Sequence, residues 1–211
     1  MRQTAASQTV VSQTVPDRST AAGNARTLAR QTGIVVASTA LVALCAHISI
    51  PLGFTPVPIT LQPFAVLLLG LVLAPGISFA ALSLYLLEGA AGLPVFSPHG
   101  LGGVAQLFGP TGGYLLAAPF AAALAGLIYR NGKRKFVFAI AGAAVGDIVL
   151  LAIGALWLGM LANTSFSVLM NVSVVPFLAS DAAKVIAAAI CAQIFSSFTG
   201  ASFFKRSAQT E

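Results

Sequence analysis

Two residues of opposite charge, Asp181 and Lys184, lie inside the long apolar segment 176–199. They are three positions apart, so on a helix they share one face and can touch. An ionisable side chain inside a membrane span costs on the order of 2.5–3.5 kcal/mol by insertion scales, and such residues typically mark substrate paths. The pair therefore predicts a polar binding site within an apolar surrounding. The alternative is an internal ion pair that only fixes this helix against its neighbours.

The composition identifies the class of protein that holds this pair. Of 211 residues, 57% are hydrophobic and only 8% are charged, against about 25% charged in a soluble domain. The apolar segments are longer than the roughly ten-residue strands of a membrane barrel. We therefore predict an all-α integral membrane protein in a lipid bilayer. The net charge of +6 predicts no nucleic-acid partner, because the basic residues cluster beside the apolar segments.

The apolar segments predict six transmembrane helices, at about 33–50, 59–74, 77–93, 114–129, 136–161 and 176–199. Pro75-Gly76 divides the second from the third, which predicts a tight helical hairpin. Residues 1–32 are predicted to be a disordered tail, 33–200 the six-helix membrane domain, and 201–211 a second tail.

The basic residues predict how these helices are oriented. Of eleven Lys and Arg residues, four lie in 1–32, four in 130–135 and two in 201–211. Cytoplasmic segments carry an excess of Lys and Arg, so both termini and segment 130–135 are predicted to be cytoplasmic.

The links on the opposite side carry no Lys or Arg. They include the proline-rich connection 51–63, the glycine-rich loop 94–113 and the polar link 163–173. Irregular backbone near a membrane is tolerated where it lines a cavity. Because the first two links would lie over Asp181 and Lys184, they predict a pocket that opens outward under a lid.

Several kinds of chemistry have no signal in the sequence. No glycine-rich phosphate loop of the G-x4-G-K-[ST] type occurs, so we predict that the chain does not hydrolyse ATP itself. His47 and His99 have no His or Cys partner at ligand spacing. We therefore predict no enzymatic activity, no cofactor and no metal site.

Five sequence strings resemble the BioY family, the substrate-binding S components of energy-coupling-factor (ECF) biotin transporters. They are VPITLQPFAVLLLG at 57–70, SLYLLEGAAGLPVFS at 83–97, GGVAQLFGPTGGYLLAAPFAA at 102–122, ALWLG at 155–159 and PFLASDAAK at 176–184. The resemblance runs from about 43 to 190. It implies a six-helix protein of a bacterial plasma membrane that captures biotin outside the cell. It also implies two kinds of partner, a transmembrane coupling subunit and paired ATPases.

The chain departs from the family pattern at three places. ASDAAK stands where members usually read PGD-x-x-K, although the Asp and Lys remain. Glu88 occupies a position where many members carry an apolar residue. The small-residue pattern of the first span is reduced to Thr39-x3-Ala43.

The resemblance also implies roles for individual residues. Asp181 would accept hydrogen bonds from the biotin ureido N–H groups, and Lys184 would bind its carboxylate or only neutralise Asp181. Gln106 and Tyr114 would add polar contacts. Tyr85 and Trp157 would supply apolar walls, plain core packing being the alternative for each.

Three other functions stay open from sequence. A self-sufficient proton-coupled carrier would use Glu88, Asp147 and Asp181 as a relay, although no internal repeat of the kind that many carriers show is evident. An S component for another vitamin would share the fold. A membrane scaffold would hold the charges for structure alone.

Overall fold

The computed structural model describes the backbone of residues 18–163 and 165–207, and the side chains of 27–163 and 165–198. The chain divides into two compact units, Met1–Gly33 and Ile34–Glu211. Within the described residues, the elements in chain order are α1 (Arg18–His47), β1 (Ser49–Ile50), β2 (Ile59–Thr60), α2 (Gln62–Val72), α3 (Pro75–Ala90), α4 (Gly103–Leu107), α5 (Gly112–Asn131), α6 (Phe136–Ala162), α7 (Phe166–Ser173) and α8 (Leu178–Ser207).

The all-α membrane class predicted from the sequence is confirmed. Four helical segments are long and apolar enough to cross a bilayer: Thr27–His47, Gly112–Asn131, Phe136–Ala162 and Leu178–Phe198. The other two predicted spans correspond to α2 and α3, which have 11 and 16 residues. At about 1.5 Å per residue they measure roughly 16 and 24 Å, less than the roughly 30 Å of a hydrocarbon core.

The predicted tails overlap the ends of the two terminal helices. α1 begins at Arg18 and α8 continues to Ser207, so both helices extend into segments that the sequence predicts as tails. Residues 1–17 and 208–211 of those tails lie outside the described part of the chain.

Proline sets the boundary between α2 and α3. Ala74 has an extended backbone and Pro75 occupies the first turn of α3, where its missing N–H costs nothing. The residue before a proline avoids the helical region, so α2 cannot run on into α3. The predicted break at Pro75-Gly76 is therefore where one helix gives way to the next.

Small residues bring α2, α5 and α6 into close contact. Gly70 on α2 and Gly126 on α5 pack against backbone of the facing helix with no room for a side chain. A Cβ added at Gly142 on α6 would lie 2.6 Å from the carbonyl oxygen of Ala125. This close approach places α5 at the centre of the bundle, against α2, α3 and α6.

The three links contain more regular structure than the sequence predicts. Antiparallel pairing of Ser49 with Thr60 and of Ile50 with Ile59 closes the base of the proline-rich connection. The glycine-rich loop contains α4, and the link 163–173 contains α7. The Thr55 hydroxyl donates to the carbonyl oxygen of Val172 at 2.7 Å, which ties the first link to α7.

Candidate functional site

Two adjoining cavities lie beneath the proline-rich connection and the glycine-rich loop. The inner cavity has a volume of about 70 Å³ and the outer cavity about 350 Å³. Small-molecule pockets usually measure about 300–1,000 Å³, so the outer cavity alone is in that range. Both cavities share the same four lining residues, which form the wall between them: Pro58, Ser97, Gln106 and Thr111.

Gln106 is the central side chain of that wall. Its Nε2 donates to the carbonyl oxygen of Ser97 at 3.4 Å, and its Oε1 accepts from the backbone N–H of Gly102 at 3.2 Å. The amide also packs directly on Gly100, where an added Cβ would overlap it. Gln106 therefore holds the glycine-rich loop closed and separates the inner cavity from the outer one.

Ser97 belongs to the same wall but was not predicted from the sequence. Its side chain is 8% exposed, and its hydroxyl has no hydrogen-bond partner among the described residues. A hydroxyl can both donate and accept, so Ser97 offers one free polar contact to whatever occupies either cavity. The only sequence signal was its position in a glycine-rich loop.

Tyr114 connects the inner cavity with the end of α7. Its ring lines that cavity, and its hydroxyl donates to the carbonyl oxygen of Ser173 at 2.8 Å. Gly154 on α6 has no side chain, and the Tyr114 ring occupies the space that a Cβ there would fill. The ring centroid lies 6.5 Å from that of Phe177, just before α8. Tyr114 thus joins the cavity to the helix that carries the charged pair.

Asp181 and Lys184 form the predicted contact. Lys184 Nζ lies 2.7 Å from Asp181 Oδ1, and both residues are more than nine-tenths buried. Ser180 Oγ lies 3.4 Å from the ammonium and 3.3 Å from the same carboxylate oxygen. Neither charged residue lines the two cavities. The two side chains therefore form an ion pair with each other.

Asp147 on α6 adds a third charge to this neighbourhood. Its carboxylate interacts electrostatically with both Asp181 and Lys184. It is 7% exposed, and its Oδ1 has no hydrogen-bond partner within the described residues. Glu88, the other candidate for a proton relay, instead accepts a hydrogen bond from Thr39 at 3.3 Å.

Tyr85 and Trp157 each donate a hydrogen bond to a backbone carbonyl of the glycine-rich loop. Tyr85 is fully buried, donates to the carbonyl oxygen of Val95 at 3.0 Å and packs edge-on against Phe96. Trp157 Nε1 donates to the carbonyl oxygen of Gly109 at 2.9 Å. Neither side chain lines the two cavities. Of the six predicted residues, the structure thus brings Gln106 and Tyr114 together at the inner cavity, and Asp181 and Lys184 together on α8.

Comparison with known proteins identifies the family to which these strings belong. The sequence profile of the BioY family matches residues 13–200. The chain belongs to the BioY family. A probable biotin transporter BioY of Pyrococcus horikoshii is 38% identical over 78% of this chain and 95% of that relative. The biotin transporter BioY of Thermotoga maritima is 39% identical over 73% of this chain and 88% of its own length.

A solved structure shows the same fold. The S-component for biotin from an ECF-type ABC transporter superposes with a TM-score of 0.74 at 26% identity, over 82% of this chain and 93% of that one. The similarity predicted from the five sequence strings is therefore confirmed.

The BioY strings converge on the inner cavity. The string 57–70 supplies its first side, 83–97 supplies Ser97, and 102–122 supplies Gln106, Thr111 and Tyr114. Every lining residue except Leu150 comes from one of these three strings. The part of the sequence that carries the family resemblance is thus the part that builds the cavity.

No group of three or more His, Cys, Asp or Glu side chains suited to a metal ion occurs among the described residues. The ring Nδ1 of His47 lies 2.8 Å from the carbonyl oxygen of Ala43, within its own helix. His47 therefore has a local structural partner.

Proposed function

We propose that this chain is the biotin-binding S component of an ECF-type vitamin transporter. The observation that carries the proposal is that the inner cavity is built from the strings it shares with a family whose named members are biotin transporters. An S component binds and delivers a vitamin without chemical conversion, so the protein is a transporter subunit and not an enzyme.

The chemistry of the cavity walls suits biotin. Biotin has an apolar thioether body, a ureido ring with two N–H donors and one carbonyl acceptor, and a carboxylate tail. Val57, Val66 and Leu150 offer apolar surface for the body. Ser97 and Gln106 offer hydrogen bonds to the ureido group. A mostly apolar pocket with a few fixed polar groups is the usual form of a small-molecule site.

Biotin has to enlarge the inner cavity to occupy it, because 70 Å³ lies far below the usual range. We propose that the ligand enters from the outer cavity by displacing the Gln106 side chain and moves toward Tyr114. Asp181 and Lys184 lie beyond Tyr114 and would then exchange their mutual contact for contacts with the ligand. Asp181 would accept from a ureido N–H, and Lys184 would donate to an acceptor oxygen.

The topology that fits this route has six spans with both termini in the cytoplasm. α1, α2, α3, α5, α6 and α8 would be the spans, in the plasma membrane of a bacterial cell. The links above the two cavities contain no Lys or Arg, which supports their position outside the cell. A coupling subunit and paired ATPases would supply the energy, since the sequence contains no phosphate loop of its own.

Titration calorimetry of the purified protein tests the ligand. Biotin should bind, whereas thiamine and riboflavin, which lack its fused ureido and thioether rings and its carboxylate tail, should not. Binding of another vitamin in place of biotin would replace this proposal with that of an S component for the other vitamin. Failure to bind any of the three would favour the scaffold.

Asp147 favours one second candidate, a carrier coupled to protons. A buried carboxylate with an unpartnered oxygen, beside a second carboxylate, is the kind of group that carries protons in transporters. Proteoliposomes that contain this chain alone separate the two functions. Biotin uptake driven by a pH gradient would support the carrier, and uptake that needs the coupling subunit and ATP would support the S component.

A further inference from the structure

The turn between α5 and α6 carries a dense cluster of positive charge. We call residues 130–135 the basic turn; it contains Arg130, Lys133, Arg134 and Lys135. The helices on both sides are long and apolar enough to cross a bilayer. The basic turn therefore lies at a membrane surface, on whichever side of the membrane that surface faces.

Backbone hydrogen bonds fix the conformation of the basic turn, and three of its charged side chains are exposed. Lys133 and Arg134 have φ of 54° and 56°, a left-handed conformation that is unfavourable for residues with a side chain. Their N–H groups donate to the carbonyl oxygens of Arg130 and Tyr129, both at 3.0 Å. The side chains of Lys133, Arg134 and Lys135 are exposed.

Among the residues whose side chains are described, these cations have no partner of opposite charge. In the part of the chain whose side chains are described, the acidic residues are Glu88, Asp147 and Asp181, in α3, α6 and α8. The ion pair found there joins Asp181 to Lys184. Arg130 and Arg134 lie close enough to repel each other, and Arg130 Nε is buried without an acceptor in the same part of the chain. Within the described residues this charge is left unbalanced, which leaves it available to an external anion.

The neighbouring apolar surface indicates which anion fits. Phe136 and Val137, directly after the basic turn, are 41% and 72% exposed. A guanidinium binds a phosphate group through two parallel hydrogen bonds, and the exposed apolar side chains match an acyl chain below that phosphate. A free phosphate ion would make no use of Phe136 and Val137. We propose that the basic turn is a binding site for the headgroup of an anionic phospholipid.

This inference needs only that α5 and α6 cross the membrane, so it does not rest on the proposed transport function. Native mass spectrometry of the full-length protein tests it, with phosphatidylglycerol and phosphatidylcholine of identical acyl chains supplied in equal amounts. The unaltered protein should retain phosphatidylglycerol in preference to phosphatidylcholine.

The double variant Lys133→Gly with Arg134→Gly separates lipid binding from folding. Glycine adopts positive φ without strain, so the thermal stability in phosphatidylcholine should be equal or higher. A Lys or Arg near an anionic surface contributes about five-fold in affinity, so the loss of two cations should weaken phosphatidylglycerol retention by roughly 25-fold. Retention of phosphatidylcholine should not change. Arg134→Lys keeps the charge but loses the two parallel hydrogen bonds of a guanidinium, so retention should fall less than in the double variant.

Three results would overturn the site. The double variant could retain phosphatidylglycerol like the parent. Arg18→Gln with Arg26→Gln, which removes two cations elsewhere, could cause the same loss and show that only net charge matters. Inorganic phosphate could displace the lipid, which would assign the turn to the free ion. If the double variant does not fold, Lys135→Gln, at a position of ordinary extended backbone, should still weaken retention about five-fold.

Discussion

At the scale of single residues, we expect the stability of the fold to depend more on Lys184 than on Asp181, because Asp147 lies near both. Lys184→Met leaves Asp181 and Asp147 near each other with no cation, whereas Asp181→Asn leaves Asp147 to balance Lys184. Breaking a buried pair typically costs about 3–5 kcal/mol. We expect a cost of that size for Lys184→Met and a smaller one for Asp181→Asn, measured by thermal unfolding in one detergent.

The double variant Asp181→Asn with Lys184→Met decides whether the pair also binds the ligand. It should recover stability relative to Lys184→Met, since one of the two carboxylates that repel each other is removed. Loss of a charge-assisted contact to a buried ligand typically costs about 2–5 kcal/mol, or roughly 30-fold or more in affinity. A stable double variant that binds biotin like the parent would remove both residues from the site and leave them a structural role.

Ser97 gives a second test at this scale. Its hydroxyl has no internal partner among the described residues, so Ser97→Ala should leave thermal stability unchanged. If the hydroxyl contacts biotin, affinity should fall by about 5- to 10-fold, the size of one neutral hydrogen bond. Ser78→Ala is the control, because that buried hydroxyl already donates to the carbonyl oxygen of Pro75 and lines neither cavity. Unchanged biotin affinity in Ser97→Ala would count against the cavity as the binding site.

The two cases show what the sequence can predict about single side chains. The contact between Asp181 and Lys184 follows from helix geometry, since a spacing of three places both on one face. The roles of Ser97 and Trp157 do not, because a loop conformation depends on contacts between residues far apart in sequence. The 2.9 Å hydrogen bond from Trp157 to Gly109 spans 48 positions.

At the scale of elements, the glycine-rich loop should set how fast the ligand enters and leaves. A Cβ at Gly100 would overlap the flexible end of the Gln106 side chain, so Gly100→Ala should push that amide out of the wall between the cavities. We expect the association and dissociation rates of biotin both to rise, with a smaller change in Kd. Trp157, the single tryptophan of the chain, lies against the same loop and can report both rates by stopped-flow fluorescence.

Gly53→Ala is the matched control, because a Cβ there meets nothing within 4 Å. It should leave both rates unchanged. If Gly100→Ala changes the dissociation rate alone, Gln106 contributes to holding the ligand and does not close the path to it.

The long elements were predictable and the short ones were not. Each of the six predicted apolar segments overlaps one helix, because the length and hydrophobicity of such a segment are local properties of the sequence. α4, α7 and the β1–β2 pair lie in links for which the sequence predicts irregular backbone. These elements are too short to be stable alone. Their formation depends on contacts between distant residues, such as the hydrogen bond from Thr55 to Val172.

At the scale of the whole molecule, the proposed transport direction and the placement of the cavities depend on which face of the membrane the loops occupy. The segments 130–135 and 94–113 provide the two reference points, since the proposed topology has them on opposite sides. Asn131 and His99 are both exposed, so a cysteine at either position can react. Ser97 is a poor choice for such labelling because it is buried.

Labelling with a membrane-impermeant maleimide tests this orientation in intact cells, with Cys45 and Cys191 first replaced by alanine. His99→Cys should react, because the glycine-rich loop is proposed to lie outside the cell. Asn131→Cys should react only after the cells are permeabilised, because basic segments are retained in the cytoplasm. The reverse pattern would place the two cavities on the cytoplasmic side, where biotin could not be captured from outside. Reaction of both cysteines in sealed cells would mean that α5, which lies between them, does not cross the membrane.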